Sequence, residues 1–198
     1  MKFNFDEEII LENEAALLRP ICAEDFENLL NVAIADKHLL QFSPRPINTP
    51  ELLQSYIEIA LNKRKEHDRY TFCVFDKYKM EYAGSTSFLN ISNPDARLEI
   101  GATWYGKQFQ RTGLNRNCKF LLLQFAFENA GAERVEFRTD ERNAQSRLAI
   151  EKIGGKLEGI LRSHMVMNDG FRRNTVCYSI LKTEWEELKM KFPFRNQI

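Results

Sequence analysis

The spacing of apolar residues changes several times along this 198-residue chain, and each change predicts an element. Residues 15–21 (AALLRPI) form a short apolar run interrupted by Pro20, the pattern of a strand. Within residues 23–42, Phe26, Leu29, Leu30, Ala33 and Ile34 recur near the 3.6-residue period of a helix, up to a proline-rich break at 43–46. Thr49-Pro50-Glu51 joins a hydroxyl cap to a proline in the first turn. The helix it starts would bury Leu52, Leu53, Tyr56, Ile57, Ala60 and Leu61, then fray in the charged run 63–69.

Residues 70–75 and 83–91 are dense in aromatic and β-branched side chains, and Arg97–Tyr105 (RLEIGATWY) follows a loop holding Asn93-Pro94-Asp95. Three strands with short connections predict an antiparallel meander. Residues 115–130 read as a helix with a broad apolar face, ended by Gly131. Residues 134–139 alternate as a strand does, and a helix over 144–153 stops at Gly154-Gly155. Segments 156–167 and 172–182 make a hairpin around Asn168-Asp169-Gly170, which supplies positive-φ residues at low cost. A short tail helix covers 183–191. The order β-α-α-β-β-β-α-β-α-β-β contains no repeat and no linker. It predicts an α+β fold, a mostly antiparallel central sheet flanked by helices, in one domain over 1–198.

Composition narrows the function classes. With 28 basic and 28 acidic residues the net charge is zero, which disfavours a nucleic-acid or membrane-surface partner. The amino terminus, MKFNFDEEIILENE, has carboxylates where a secretory signal needs an apolar run. The richest apolar stretch, 120–127, is interrupted by Gln124 and falls short of the ~20 residues of a membrane span. A cytoplasmic protein is the expectation, and a homodimer stays open. Cys22, Cys73, Cys118 and Cys177 lie far apart, as do His38, His67 and His164, so reduced thiols and no metal site are expected.

The segment that points to chemistry is QFQRTGLN, residues 108–115, between a strand and an amphipathic helix. A helix start leaves backbone N–H groups unpaired and carries partial positive charge, so a diphosphate fits it. Gly113 lets the backbone approach such a group, and Arg111 and Arg116 add charge at the rim. An ordinary strand-to-helix loop containing glycine fits the same residues. Neither a P-loop nor a dinucleotide G-x-G-x-x-G is present.

Together, EIGATWY, QRTGLN with the helix behind it, ERNAQSRLAIEKIGG and the closing hairpin resemble the GCN5-related N-acetyltransferase (GNAT) superfamily. The likeness is greatest to its ribosomal-protein-alanine acetyltransferase-like (RimJ/RimL-type) branch. The resemblance implies a GNAT-like fold, acetyl-CoA as cosubstrate, and a peptide N-terminus or small-molecule amine as acceptor. It puts the CoA pyrophosphate on Arg111, Thr112, Gly113, Leu114, Asn115 and Arg116. The family pattern [QR]-x-x-G-x-[GA] is met by Gln110 and Gly113, while Asn115 replaces the last small residue. The pantetheine arm would pair with the backbone of Thr103, Trp104 and Tyr105, and with the side chain of Asn143. Asn143 equally reads as the N-cap of the following helix, and Trp104 and Tyr105 as ordinary strand residues. Arg116 and Lys119 read as solvated helix charges, with a 3′-phosphate as the alternative.

Direct transfer to an amine needs a base, an oxyanion donor and a proton for the thiolate. Glu99, a lone carboxylate in an apolar strand, is the candidate base; on a solvent-facing side of the strand it would be inert. Ser146 resembles the serine that the RimJ/RimL-type branch places at the thioester sulfur. The family's usual tyrosine acid falls on Ile150, and the glutamate another branch uses as base falls on Arg138. Asp36, Glu51 and Glu58 could draw a cationic acceptor, as surface carboxylates generally do. A catalytically silent acyl-CoA-binding sensor is the competing expectation.

Overall fold

The computed structural model of the chain describes residues 1–192. Eight strands form one sheet: β1 (Leu11–Glu12), β2 (Ala16–Pro20), β3 (Arg69–Asp76), β4 (Glu81–Ser92), β5 (Arg97–Tyr105), β6 (Arg134–Asp140), β7 (Lys156–Val166) and β8 (Arg172–Leu181). Their spatial order is β1-β2-β3-β4-β5-β6-β8-β7. Five α-helices accompany them among the described residues: α1 (Asp25–Ile34), α2 (Pro50–Lys65), α3 (Leu114–Gln124), α4 (Ala144–Lys152) and α5 (Lys182–Lys191). All neighbouring strands run antiparallel except β5 and β6, which are parallel and joined through α3. The expected α+β class, with a mostly antiparallel sheet and a closing hairpin, is what the chain adopts.

Local chemistry explains most boundaries. Thr49 Oγ1 accepts the Leu52 amide at 3.3 Å, and Pro50 opens α2. Leu53, Ile57 and Ala60 are buried, whereas Leu52 faces outward and Tyr56 and Leu61 are half-buried. Gly170, at φ 81°, closes the β7–β8 turn with its amide on the Met167 carbonyl.

α1 ends at Ile34, well short of the expected Phe42. The Asp36 carboxylate captures the His38 amide at 2.9 Å and the chain enters turns, although Leu39 and Leu40 still pack against the core. Apolar periodicity therefore outlasts the helix. α3 also departs from expectation, widening after Gln124 into a π-turn over Phe125–Asn129 before Gly131 at φ 75°. Residues 1–10 carry no periodic signal, yet Phe3 is buried edge-on against Tyr70, Phe88 and Phe125.

The two faces of the sheet can be told apart from β5. The Trp104 ring meets Tyr56 of α2, while Thr103 Oγ1 meets Lys119 of α3. Successive strand residues point to opposite faces, so α2 covers one face and α3 the other. α5 seats its buried Trp185 on Phe120 and Phe127, closing the outer side of α3. All four cysteines are free thiols; Cys73 and Cys118 are buried, Cys22 and Cys177 only half-buried.

Candidate active site

β5 and β6 run paired for three residues only: Arg97 with Arg134, Leu98 with Val135, Glu99 with Glu136. Beyond Glu99 the strands part, while β5 stays on β4. A bulge lies just there: between the pairs Ser87–Gly101 and Ser85–Trp104, β5 has one more residue than β4, and Ala102 takes φ 46°. Bulges bend a strand and increase its twist. Gly84 permits the close crossing, because a Cβ on it would stand 2.1 Å from the Trp104 carbonyl oxygen. The β6-facing edge of Thr103, Trp104 and Tyr105 has no strand partner among the described residues, although the Tyr105 carbonyl is taken by Gln110 Nε2; an edge of this kind can accept an extended, amide-bearing ligand. The rings of Trp104 and Tyr105 are both buried.

This edge leads into the loop before α3. Gln110 Nε2 donates to the Tyr105 carbonyl at 3.0 Å, and Thr112 Oγ1 donates to the Phe109 carbonyl at 2.8 Å. Those bonds fix the turn in which Arg111 (φ 64°) and Gly113 (φ 93°) both adopt left-handed backbone. The Leu114 amide closes onto Thr112 Oγ1 at 3.4 Å and the Arg116 amide onto the Gly113 carbonyl at 3.1 Å. Leu114 itself is a core side chain. Within the expected span from Arg111 to Arg116, the Leu114 and Arg116 amides are therefore already engaged. The Arg111, Thr112, Gly113 and Asn115 amides have no hydrogen-bond acceptor among the described residues, and exposed Arg111 and half-buried Arg116 lie alongside.

Among the described residues, the buried side-chain polar atoms without a partner are Trp104 Nε1, Tyr105 Oη and Asn115 Oδ1. All three belong to residues expected at the cosubstrate site. The three do not converge: the Trp104 ring packs toward Tyr56 of α2 and the Tyr105 phenol lies beside the Cys118 thiol of α3, so Asn115 Oδ1 alone stands at the loop amides, and buried polar groups are nearly always bonded. A half-turn of the Asn115 amide exchanges its acceptor for a donor.

Glu99 occupies the point where the strands part. It is buried, at 6% exposure, which overturns the reading as an inert surface charge. Its Oε2 accepts from Asn90 Nδ2 at 2.8 Å and lies 3.4 Å from Arg138 Nε. Arg138 also reaches Glu136 at 3.2 Å, bridging two carboxylates that sit side by side on adjacent strands. Burial raises the Glu99 carboxyl above its ordinary pKa, against the lowering effects of the Asn90 hydrogen bond and the Arg138 charge. A carboxylate made more basic in this way suits proton abstraction near neutral pH.

Asn143 caps α4, its Oδ1 accepting the Ser146 amide at 3.0 Å. The capping role is thus real, and it leaves Nδ2 as the donor available to a ligand. Ser146 is half-buried in the first turn of α4 and is not bonded to Glu99. Ile150 is buried. Nearby, Arg142 holds Asp140 at 2.7 Å and stacks on Phe171 of the hairpin turn, 3.8 Å from its ring centroid. Glu51 and Glu58 remain exposed, and Asp36 serves the turn after α1.

Lys119 corrects the sequence reading most sharply. It is not a solvated charge but is 7% exposed, with Nζ 2.9 Å from Thr103 Oγ1 and 5.9 Å from the Phe137 ring centroid. Desolvation lowers its pKa to about 8. One signal could have found it: Lys119 shares an i+3, i+4 stripe with Leu122 and Leu123, both buried.

A family described as Acetyltransferase (GNAT) domain matches residues 16–156. Over 109 residues the chain is 33% identical to the Bacillus subtilis (strain 168) protein named "Putative ribosomal N-acetyltransferase YdaF". That match covers 55% of this chain and 58% of the relative, so the chain spans under two thirds of the curated protein it resembles. A GCN5-related N-acetyltransferase from Brucella melitensis has a TM-score of 0.87 at 28% identity, covering 94% of this chain and 84% of that one. The ribosomal-protein-S5-alanine acetyltransferase of Vibrio fischeri shares the fold, with a TM-score of 0.73 at 21% identity over 90% and 99% of the two chains.

Proposed function

The chain belongs to the acetyltransferase (GNAT) family, and its Bacillus subtilis relative bears out the expected RimJ/RimL-type branch; from that premise we propose that it transfers acetyl from acetyl-CoA directly to a primary amine. A protein N-terminal amine is the first acceptor to test, since the relative's name refers to ribosomal N-acetylation. The chemistry agrees: an α-amino group has an ordinary pKa near ~8, so part of it is neutral and nucleophilic at physiological pH, unlike a lysine side chain near ~10.4.

One observation carries the proposal: β5 and β6 part at Glu99, the loop amides before α3 lie at the far end of the freed edge, and a basic, buried carboxylate stands at the fork. The Arg111, Thr112, Gly113 and Asn115 amides hold the pyrophosphate, the Thr103–Tyr105 edge takes the amide-bearing arm, and Asn143 Nδ2 adds a donor. When bound, acetyl-CoA supplies an activated acyl group. Glu99 receives the proton of the acceptor ammonium, directly or through one water, while Asn90 and Arg138 hold its orientation. Ser146 orients a water or the sulfur. No metal is required by these roles.

Buried Ile150 at the place of the family's usual acid supports one rival, a silent acyl-CoA sensor. Thiol release from acetyl-CoA, followed against peptides with varied first residues and a set of small amines, decides between them. Saturable binding of CoA with turnover on any acceptor supports the transferase, and tight binding with none supports the sensor. Failure to bind CoA removes both.

A further inference from the structure

Charged side chains reach the fork between β5 and β6 from both faces of the sheet. On one face stand Glu99, Glu136 and Arg138. Phe137 points the other way, and Lys119 Nζ lies over its ring while bonding Thr103 Oγ1 across the fork on β5. A lysine from α3 therefore bridges the two strands where their backbones have separated.

The ammonium has no carboxylate within ion-pair distance among the described residues; its hydrogen-bond partner is a neutral hydroxyl. Thr103 Oγ1 is already engaged with Thr86 Oγ1 at 2.7 Å and the Gly101 carbonyl at 3.3 Å, so it does not need the lysine. Burying an ion without a counter-charge costs several kcal/mol, and an apolar side chain on this helix face would avoid that cost. Strongly perturbed groups in clefts concentrate at functional sites. The titratable groups whose charge bears on Lys119 are Glu99, across β5 on the opposite face, and Cys118 from its own helix, with the Tyr105 phenol beside that thiol. Cys118 is itself held protonated by burial, its pKa pushed up to about 12.

Acetyl transfer leaves one requirement unassigned. Cleavage of the thioester puts an electron pair on sulfur, and the thiolate needs a cation and then a proton. Glu99 acts from the opposite face and takes the amine proton, and a serine hydroxyl such as that of Ser146 is too weak an acid. We propose that Lys119 meets the CoA sulfur in the fork, its ammonium pairing with the departing thiolate and giving up one Nζ–H proton to form the free thiol. As the carbon–sulfur bond breaks its electron pair goes to sulfur; the proton follows from Nζ, and the neutral amine is reprotonated from solvent. A pKa of about 8 lies close to that of an ordinary thiol, which is the match that efficient proton transfer favours. The inference rests on the acyl-CoA reading of the site.

The binding and thiol-ionisation readouts need no acceptor, and turnover is followed as thiol release from acetyl-CoA with an amine that the wild type acetylates. CoA and desulfo-CoA are titrated calorimetrically into the wild-type protein, Lys119→Met and Lys119→Arg, and the thiol of bound CoA is titrated by thiolate absorbance. In the wild type, CoA should bind at least tenfold more tightly than desulfo-CoA at pH 8, with its thiol ionising one unit or more below that of free CoA. Lys119→Met should abolish both differences while keeping desulfo-CoA affinity within about twofold. Lys119→Arg should retain the lowered thiol pKa, because the cation is kept, but lose turnover, because guanidinium does not release its proton. If wild type and Lys119→Met give the same bound-thiol pKa, the role of Lys119 is overturned. Absence of binding by either ligand to the wild type would instead overturn the acyl-CoA reading beneath it. Should Lys119→Met not fold, the wild-type comparison of CoA with desulfo-CoA and the arginine variant still decide.

Discussion

Replacing Lys119 by methionine should stabilise the protein at neutral pH. Methionine has nearly the same length and brings no charge, so the perturbation is removal of a buried ammonium from the α3 side of the fork. The lysine pKa falls from 10.5 to about 8 on folding. That drop of about 2.5 units corresponds to roughly 3 kcal/mol at ~1.4 kcal/mol per unit, the cost of keeping the group charged in the fold. Losing the bond to Thr103 returns ~1 kcal/mol, leaving a net gain of about 2 kcal/mol for the variant at pH 7. The sign with pH follows from linkage: between about 8 and 10.5 the unfolded chain binds the lysine proton more tightly than the folded one, so wild-type stability rises with pH relative to the variant. Urea unfolding of both proteins at pH 7 and again above pH 10 measures this, since groups common to both cancel. A variant less stable than wild type at pH 7, or a difference independent of pH, would refute the energetic account of Lys119.

Three further outcomes follow from the geometry. Glu99→Gln should lower kcat by about 10²–10⁴-fold and remove the acidic limb of the pH–rate profile. Because burial raises the Glu99 carboxyl, the same change should stabilise the fold above the ordinary glutamate pKa and not below it, as pH-dependent melting would read. Asn143→Ala should cost ~1 kcal/mol through the lost α4 cap, seen as a lower Tm, and should weaken CoA binding if Nδ2 is a ligand donor. Gly84→Ala should be among the most damaging small substitutions, above ~3 kcal/mol, because its new methyl meets the Trp104 carbonyl; near-wild-type melting would show that β5 can move aside.

What could be read from the sequence was whatever local chemistry dictates. The Thr49-Pro50 start, the Asn168-Asp169-Gly170 turn and the bounds of β5 each depend on a few adjacent residues, and each is where the pattern put it. The end of α1 was not legible, because Leu39 and Leu40 extend the apolar period while packing from turns. The strand-to-helix loop before α3 was legible from Gln110 and Gly113, but which amides stay free depends on Thr112 and on the Gly113 carbonyl, a matter of three-dimensional closure. Burial of Glu99 and Lys119 was not legible either, since a charged side chain in an apolar pattern is ambiguous until both faces of the sheet are seen to be covered. The bulge at Ala102 had no sequence signal at all, since alanine is an unusual choice for positive φ.

The short parallel ladder between β5 and β6 has a mechanical consequence. Five strands lie on one side of it and three on the other, held edge to edge by the pairs at 97–99 and 134–136. The seam is thus the natural axis about which the two halves can rock, spreading or narrowing the fork while every other ladder stays intact. The backbone amides of Leu98 and Val135, at the middle of that axis, are where deuterium uptake would register such breathing.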